Sequence, residues 1–172
     1  MNSKFQKENN FAYIDSQNLH LGVKSMGWVL DFKRFRVYLK EKYHVGQAYI
    51  FIGFVPGNQK LYNALQEYGY ILIFKPVILG EDKEMKGNID ADLVLQTMID
   101  LYENKFNQAI IISSDGDFYS LVDYLYIKNK LKVVISPYIN TCSSLLKKTA
   151  KEKIVFLDNL KEKLEHKRKS TA

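Results

Sequence analysis

Five aspartates stand in three places where acids could act together: Asp15, Asp90 with Asp92, and Asp115 with Asp117. Asp15 closes the apolar run Phe11-Ala12-Tyr13-Ile14. Asp115 follows Ile110-Ile111-Ile112-Ser113-Ser114, with Gly116 and Asp117 directly behind it. Carboxylates gathered within a few ångströms repel, raise one another's pKa and weaken the fold unless a cation sits among them. A hard, oxygen-seeking ion, Mg²⁺ or Mn²⁺, is the natural occupant of such a set. That ion can acidify a water and neutralise the charge that builds on a phosphodiester. The chemistry open to these acids is therefore metal-dependent phosphodiester hydrolysis.

Other chemistries find less support. The first strand ends in Asp15-Ser16-Gln17-Asn18, and the chain has neither G-x-G-x-x-G nor G-x-x-x-x-G-K-[ST], which excludes the usual glycine-rich phosphate cradles. The Asp115–Asp117 pair lacks the acidic ladder of an EF-hand. His20, His44 and His166 lie in unrelated contexts, so no Ser-His-Asp set is visible. Cys142 is the only cysteine, which rules out an internal disulfide and a cysteine-based zinc site.

The elements that must position the acids follow from the apolar pattern. Three consecutive isoleucines read as a strand buried on both faces, as in a parallel sheet covered by helices. Further strands are expected at Phe11–Ile14, Gln47–Val55, Tyr70–Phe74 and Leu131–Ile135, with a brief apolar run at Ile154–Leu157. Helical spacing marks Phe32, Phe35 and Leu39 behind an Asp31 cap, then Leu61–Tyr68 stopped by Gly69. It also marks a long helix with the face Ala91, Val94, Leu95, Met98, Leu101 and Tyr102, a helix from Phe118, and a short one at Ser144–Ala150. Gly80–Lys86 reads as a charged loop. Alternating strands and helices with right-handed crossovers give an α/β fold, a Rossmann-like α/β/α sandwich with a mainly parallel central sheet. In such a sheet the first and fourth strands are central neighbours, and their carboxyl ends would bring Asp15 and Asp115 together.

At 172 residues the chain suits one domain, read as 11–160 between a polar arm (1–10) and a basic tail (161–172). Net charge is +6, which favours an anionic partner such as nucleic acid. The longest apolar runs are strand-length, below the ~18 residues of a membrane span, so no membrane is expected and the cytoplasm is the expected compartment. Tyrosine- and phenylalanine-rich helices leave room for a homodimer.

Individual residues carry more than one reading. Asp117 could ligate a metal or cap the helix behind it. Asp90 and Asp92 lie about 200° apart on a helix, so they cannot share one ion if both are fully helical. Asp90, nearer the helix start, is the chosen ligand, and Asp92 reads as a first-turn acid favoured by the helix dipole. Ser113 and Ser114 could bind a phosphate or orient a carboxylate, or equally be simple strand-end serines, and Lys86 could contact a substrate phosphate. Tyr119, Tyr124 and Tyr126 could stack on bases or simply be core.

Three segments taken together, Tyr13-Ile-Asp-Ser-Gln-Asn18, Lys86-Gly-Asn-Ile-Asp-Ala-Asp92 and Ser113-Ser-Asp-Gly-Asp-Phe118, resemble the NYN domain family, in particular its LabA-like (DUF88) branch, within the PIN-like nuclease superfamily. The resemblance spans Phe11 to Leu157. It implies a Rossmann-like sandwich, metal-dependent cleavage of RNA, and catalytic metal ligands at Asp15, Asp90, Asp115 and Asp117. An endoribonuclease is expected ahead of an exonuclease, although the sequence itself does not separate the two modes. It also implies that Asn18 orients a water or a phosphate. One departure accompanies it. Members of the family often carry a further aspartate before the last strand, where this chain has Lys151, so that either Glu152 substitutes or the site has one acid fewer. The alternative expectation is a non-catalytic or weakly catalytic RNA-binding module of the same fold.

Overall fold

Ile110-Ile111-Ile112 lies in strand β4 (Ala109–Ile112), all four residues of which are buried. In the computed structural model, which describes residues 8–75 and 89–167, this strand sits beside β1 (Asn10–Asp15), also buried throughout. The other strands are β2 (Val45–Gly53), β3 (Ile71–Lys75), β5 (Leu131–Ser136) and β6 (Ile154–Phe156). They form one six-stranded sheet in the order β3-β2-β1-β4-β5-β6. Every pairing is parallel.

The chain leaves β1 by α1 (Ser16–Ser25) and α2 (Phe32–Tyr43) and leaves β2 by α3 (Gln59–Glu67). It then crosses by α4 (Ile89–Tyr102) to β4 and winds the other way through α5 (Tyr119–Ile127), α6 (Ser144–Ala150) and the short α7 (Lys161–Leu164). Alternate strand residues serve opposite faces, as the two-residue period of a strand requires. Ala12, Ile14, Ile50, Ile110 and Ile112 pack with Leu19, Phe35, Leu39, Leu65 and Leu164. Phe11, Tyr13, Phe51, Ile111 and Val134 pack with Leu93, Leu121, Leu125 and Leu146. The result is a helix–sheet–helix sandwich whose winding reverses between β1 and β4. Ligands of open α/β sheets bind at such a reversal, beyond the carboxyl ends of the strands.

Local chemistry sets the boundaries. Asp31 accepts from Arg34 N–H at 3.0 Å and caps α2. Gly69, at φ +87°, takes the left-handed turn after α3. β2 begins earlier and ends earlier than the apolar pattern suggests. The segment expected to be a basic tail contributes α7, which buries Leu164 against the core, and Asp31 N–H donates to Leu164 C=O at 2.8 Å. The expected Gly80–Lys86 loop lies outside the described residues.

One helix face differs from the expectation. On α4 the buried residues are Leu93, Thr97 and Asp100. Leu95 and Tyr102, expected inside, are 59% and 88% exposed. The reason is a polar anchor. Tyr13 Oη donates to Asp100 Oδ2 at 3.0 Å, and Gln96 Nε2 and Lys105 Nζ donate to Oδ1 at 3.0 and 3.2 Å. A buried carboxylate with three donors is satisfied, and it turns the helix so that a leucine and a tyrosine face outward.

Candidate functional site

The carboxyl ends of β1 and β4 are tied together by side chains. Asp15, 5% exposed, ends β1 and caps α1, its Oδ1 accepting from Asn18 N–H at 3.1 Å. Its Oδ2 accepts from Ser113 Oγ at 3.2 Å. Asn18 Oδ1 in turn accepts from both Ser114 N–H (2.8 Å) and Ser114 Oγ (2.9 Å). Ser113 is fully buried, with its hydroxyl on that carboxylate.

Beyond Ser114 the chain enters a 3-10 turn, Gly116–Phe118. The capping aspartate there is Asp115, whose Oδ1 accepts from Asp117 N–H at 3.0 Å. The expectation that Asp117 caps the following helix is corrected: Asp117 sits inside the turn and Phe118 precedes α5 with no side-chain cap. Gly116 packs closely on Ser143: a Cβ there would lie 2.5 Å from Ser143 Oγ and 3.1 Å from its Cβ, so a larger residue would force Ser143 to shift.

Asp90 comes from the first turn of α4, which packs in the same layer as Tyr13, Ile111 and Phe118. One carboxylate oxygen each from Asp90, Asp115 and Asp117 lie within 4.8 Å of one another. Asp15 stands outside that trio but lines a cavity of about 300 Å³ together with Gln17, Asn18, Lys75, Asp90 and Asp115. Burial, with the Asp115 charge adding to it, pushes the Asp15 carboxyl up despite the hydrogen bonds from Asn18 and Ser113. Burial and then the charges of Asp15, Asp115 and Asp117 push Asp90 up, with Lys75 opposing. All the trio's donors are carboxylate oxygens at a spacing one small ion can bridge, so the set fits a hard divalent cation.

The remaining expected residues divide. Asp92, half-buried in the same first turn, is in neither the trio nor the cavity wall. Lys86 lies outside the described residues. Glu152 precedes β6 and therefore sits at the amino edge of an all-parallel sheet, where its carboxylate accepts from Tyr126 Oη at 3.0 Å. It is in neither the acid trio nor the cavity wall. Tyr119 and Tyr124 are partly exposed, whereas the Tyr126 ring is covered by Lys151 and Lys153. Lys75, the last residue of β3, was missed by sequence reasoning; its position at a strand's carboxyl end is the signal that marks it.

The NYN domain profile matches residues 12–158. A search of curated proteins finds no match. Among solved structures, a Vibrio parahaemolyticus protein of unknown function superposes with a TM-score of 0.77 at 22% identity, covering 96% of this chain and 100% of that one. At that identity the likeness speaks for the fold.

Proposed function

Because this chain belongs to the NYN domain family, which lies within the PIN-like nuclease superfamily, we propose that it is a metal-dependent ribonuclease of the LabA-like branch, cutting RNA endonucleolytically at the carboxyl edge of its sheet. The observation that carries the reading is the meeting of Asp90, Asp115 and Asp117 at the point where the sheet's winding reverses. Mg²⁺ or Mn²⁺ held by these acids, with Asp15 beside them, would supply charge neutralisation on the phosphodiester and a more acidic water.

The chain's own residues do the positioning. Ser113 fixes one Asp15 oxygen and Asn18 N–H the other, so the carboxylate presents one orientation. Ser114 locks Asn18 against the end of β4. The half-buried setting raises the effective strength of every charge in the cavity, because less water screens it. The net charge of +6 supports a polyanionic substrate.

The test is cleavage of labelled single-stranded RNA, hairpin RNA and matching DNA with Mn²⁺, Mg²⁺ or EDTA, beside Asp115→Asn. Asparagine also caps helical turns, so this variant keeps the 3-10 turn while removing a ligand charge. Expected are cleavage of RNA only with metal present and a loss of at least about a hundredfold in the variant, the scale of a removed transition-state charge contact. Equal rates for wild type and variant, or cleavage that survives EDTA, would overturn the reading. The position of Glu152 at the opposite edge supports a second reading, an RNA-binding module with one acid fewer; metal-dependent RNA affinity without turnover would select it.

A further inference from the structure

The cavity that gathers Asp15, Asp90 and Asp115 is also lined by one lysine. Lys75 ends β3, two strands from β1 in the sheet, opposite Gly53 of β2. Side chains two apart on a strand share a face. Ile73 packs into the same core layer as Tyr13 and Ile111, so Lys75, Asp15 and Ser113 all issue on the face that α4 covers. The Lys75 charge reaches Asp90, whose carboxyl it pulls downward against the neighbouring acids. Yet none of the ion pairs or hydrogen bonds among the described residues engages its ammonium.

A lysine whose role was to neutralise the acids would close onto one of them. Lys75 lines the same cavity as the acids, with three donors, a flexible stem and no bonded partner among the described residues. We infer that Lys75 is the phosphate-binding residue of this site, its ammonium taking a non-bridging oxygen of the nucleic-acid strand that the acids face. This rests on the ribonuclease reading for the identity of the strand. It adds the group that attracts a polyanion to a cavity whose other charged residues, among those described, are acidic. An acidic pocket repels a phosphodiester until cations offset it. Lys75 supplies one such charge from the protein, fixed in place by the edge of the sheet.

The inference makes opposite demands on metal and RNA. Removing a positive charge beside carboxylates strengthens their hold on a dication and weakens the site's hold on a phosphate. The experiment measures binding of a short fluorescein-labelled oligouridylate in Ca²⁺ across a salt series, and Mn²⁺ affinity by calorimetry, for wild type, Lys75→Met and Lys75→Arg. Lys75→Met should bind the oligonucleotide about tenfold more weakly, the scale of one charge-assisted contact. Its salt dependence should be shallower by about 0.7 in log–log slope, the share of one single-strand phosphate. Its Mn²⁺ affinity should be equal or higher, and Lys75→Arg should recover most of the RNA binding. Unchanged oligonucleotide affinity and slope in Lys75→Met would overturn the inference. A parallel fall in Mn²⁺ affinity, or a wild type that binds no oligonucleotide, would overturn it as well. If wild type binds the strand but cuts nothing in Mn²⁺, the nuclease reading fails alone and the binding comparison still decides the role of Lys75.

Discussion

Asp15 is held by a backbone N–H and a hydroxyl and Asp115 by a backbone N–H, and the electrostatic conflict of the centre is written into Asp90. Its carboxyl is raised by burial and by three neighbouring aspartates, so the ionised form is destabilising in the metal-free protein. Asp90→Asn should therefore raise the thermal midpoint in EDTA by a few degrees and abolish the further rise that Mn²⁺ gives wild type. A lower midpoint in EDTA would show that Asp90 is held by favourable contacts instead. The aspartates were legible in the sequence because a strand ending in an acid advertises the carboxyl edge of a parallel sheet. Lys75 was not. Within Ile71-Leu-Ile-Phe-Lys75 it reads as the polar end of a strand, and only the pairing of β3 with β2 shows which cavity that end reaches. The hydroxyl of Ser113 was legible only as one of several possibilities, since its partner Asp15 is 98 residues away.

Strands and helices were largely readable, and the exception is informative. Helix α4 carries apolar residues on nearly every side, so its period alone cannot choose the buried stripe. The choice is made by Asp100, whose satisfaction depends on Tyr13, 87 residues earlier. Tyr13→Phe keeps the ring stacked on Tyr49 at 5.5 Å between centroids but removes one of the three donors. It should cost about 1–2 kcal/mol in urea unfolding, the range for a lost buried hydrogen bond. Because α4 carries Asp90 at its other end, the same variant should also weaken Mn²⁺ binding. No change in either quantity would mean that Asp100 is satisfied by Gln96 and Lys105 alone. Helix boundaries such as the Asp31 cap and Gly69 were accessible because they are set by residues next to them. The inward turn of Leu164 depends on α2, far away in sequence, and was not.

At the amino edge of the sheet a polar clip joins the start of β1 to β5. Lys132, in β5, pairs with Glu8 at 2.6 Å, and Asn10 Nδ2 donates to the same oxygen at 2.9 Å. These contacts hold the Glu8 carboxyl below its usual range, the Asn10 hydrogen bond contributing most. A depressed acid contributes stability that is present above its unfolded pKa, about 4.3, and is lost as pH falls through the lower folded value. Wild type should thus be more stable than Glu8→Gln at pH 7, and the two urea midpoints should converge as the pH is lowered below that range. A gap that persists in acid would assign the difference to packing. The strand order has a further consequence, in time. β1 is made first, yet its partner β4 and the serine that orients Asp15 come 98 residues later. At ~5–20 residues per second of synthesis, roughly 5–20 seconds separate the two. Throughout that interval the nascent chain has its first acid but no assembled centre, so the proposed activity stays silent while the first half of the protein is still tethered to the message that encodes it.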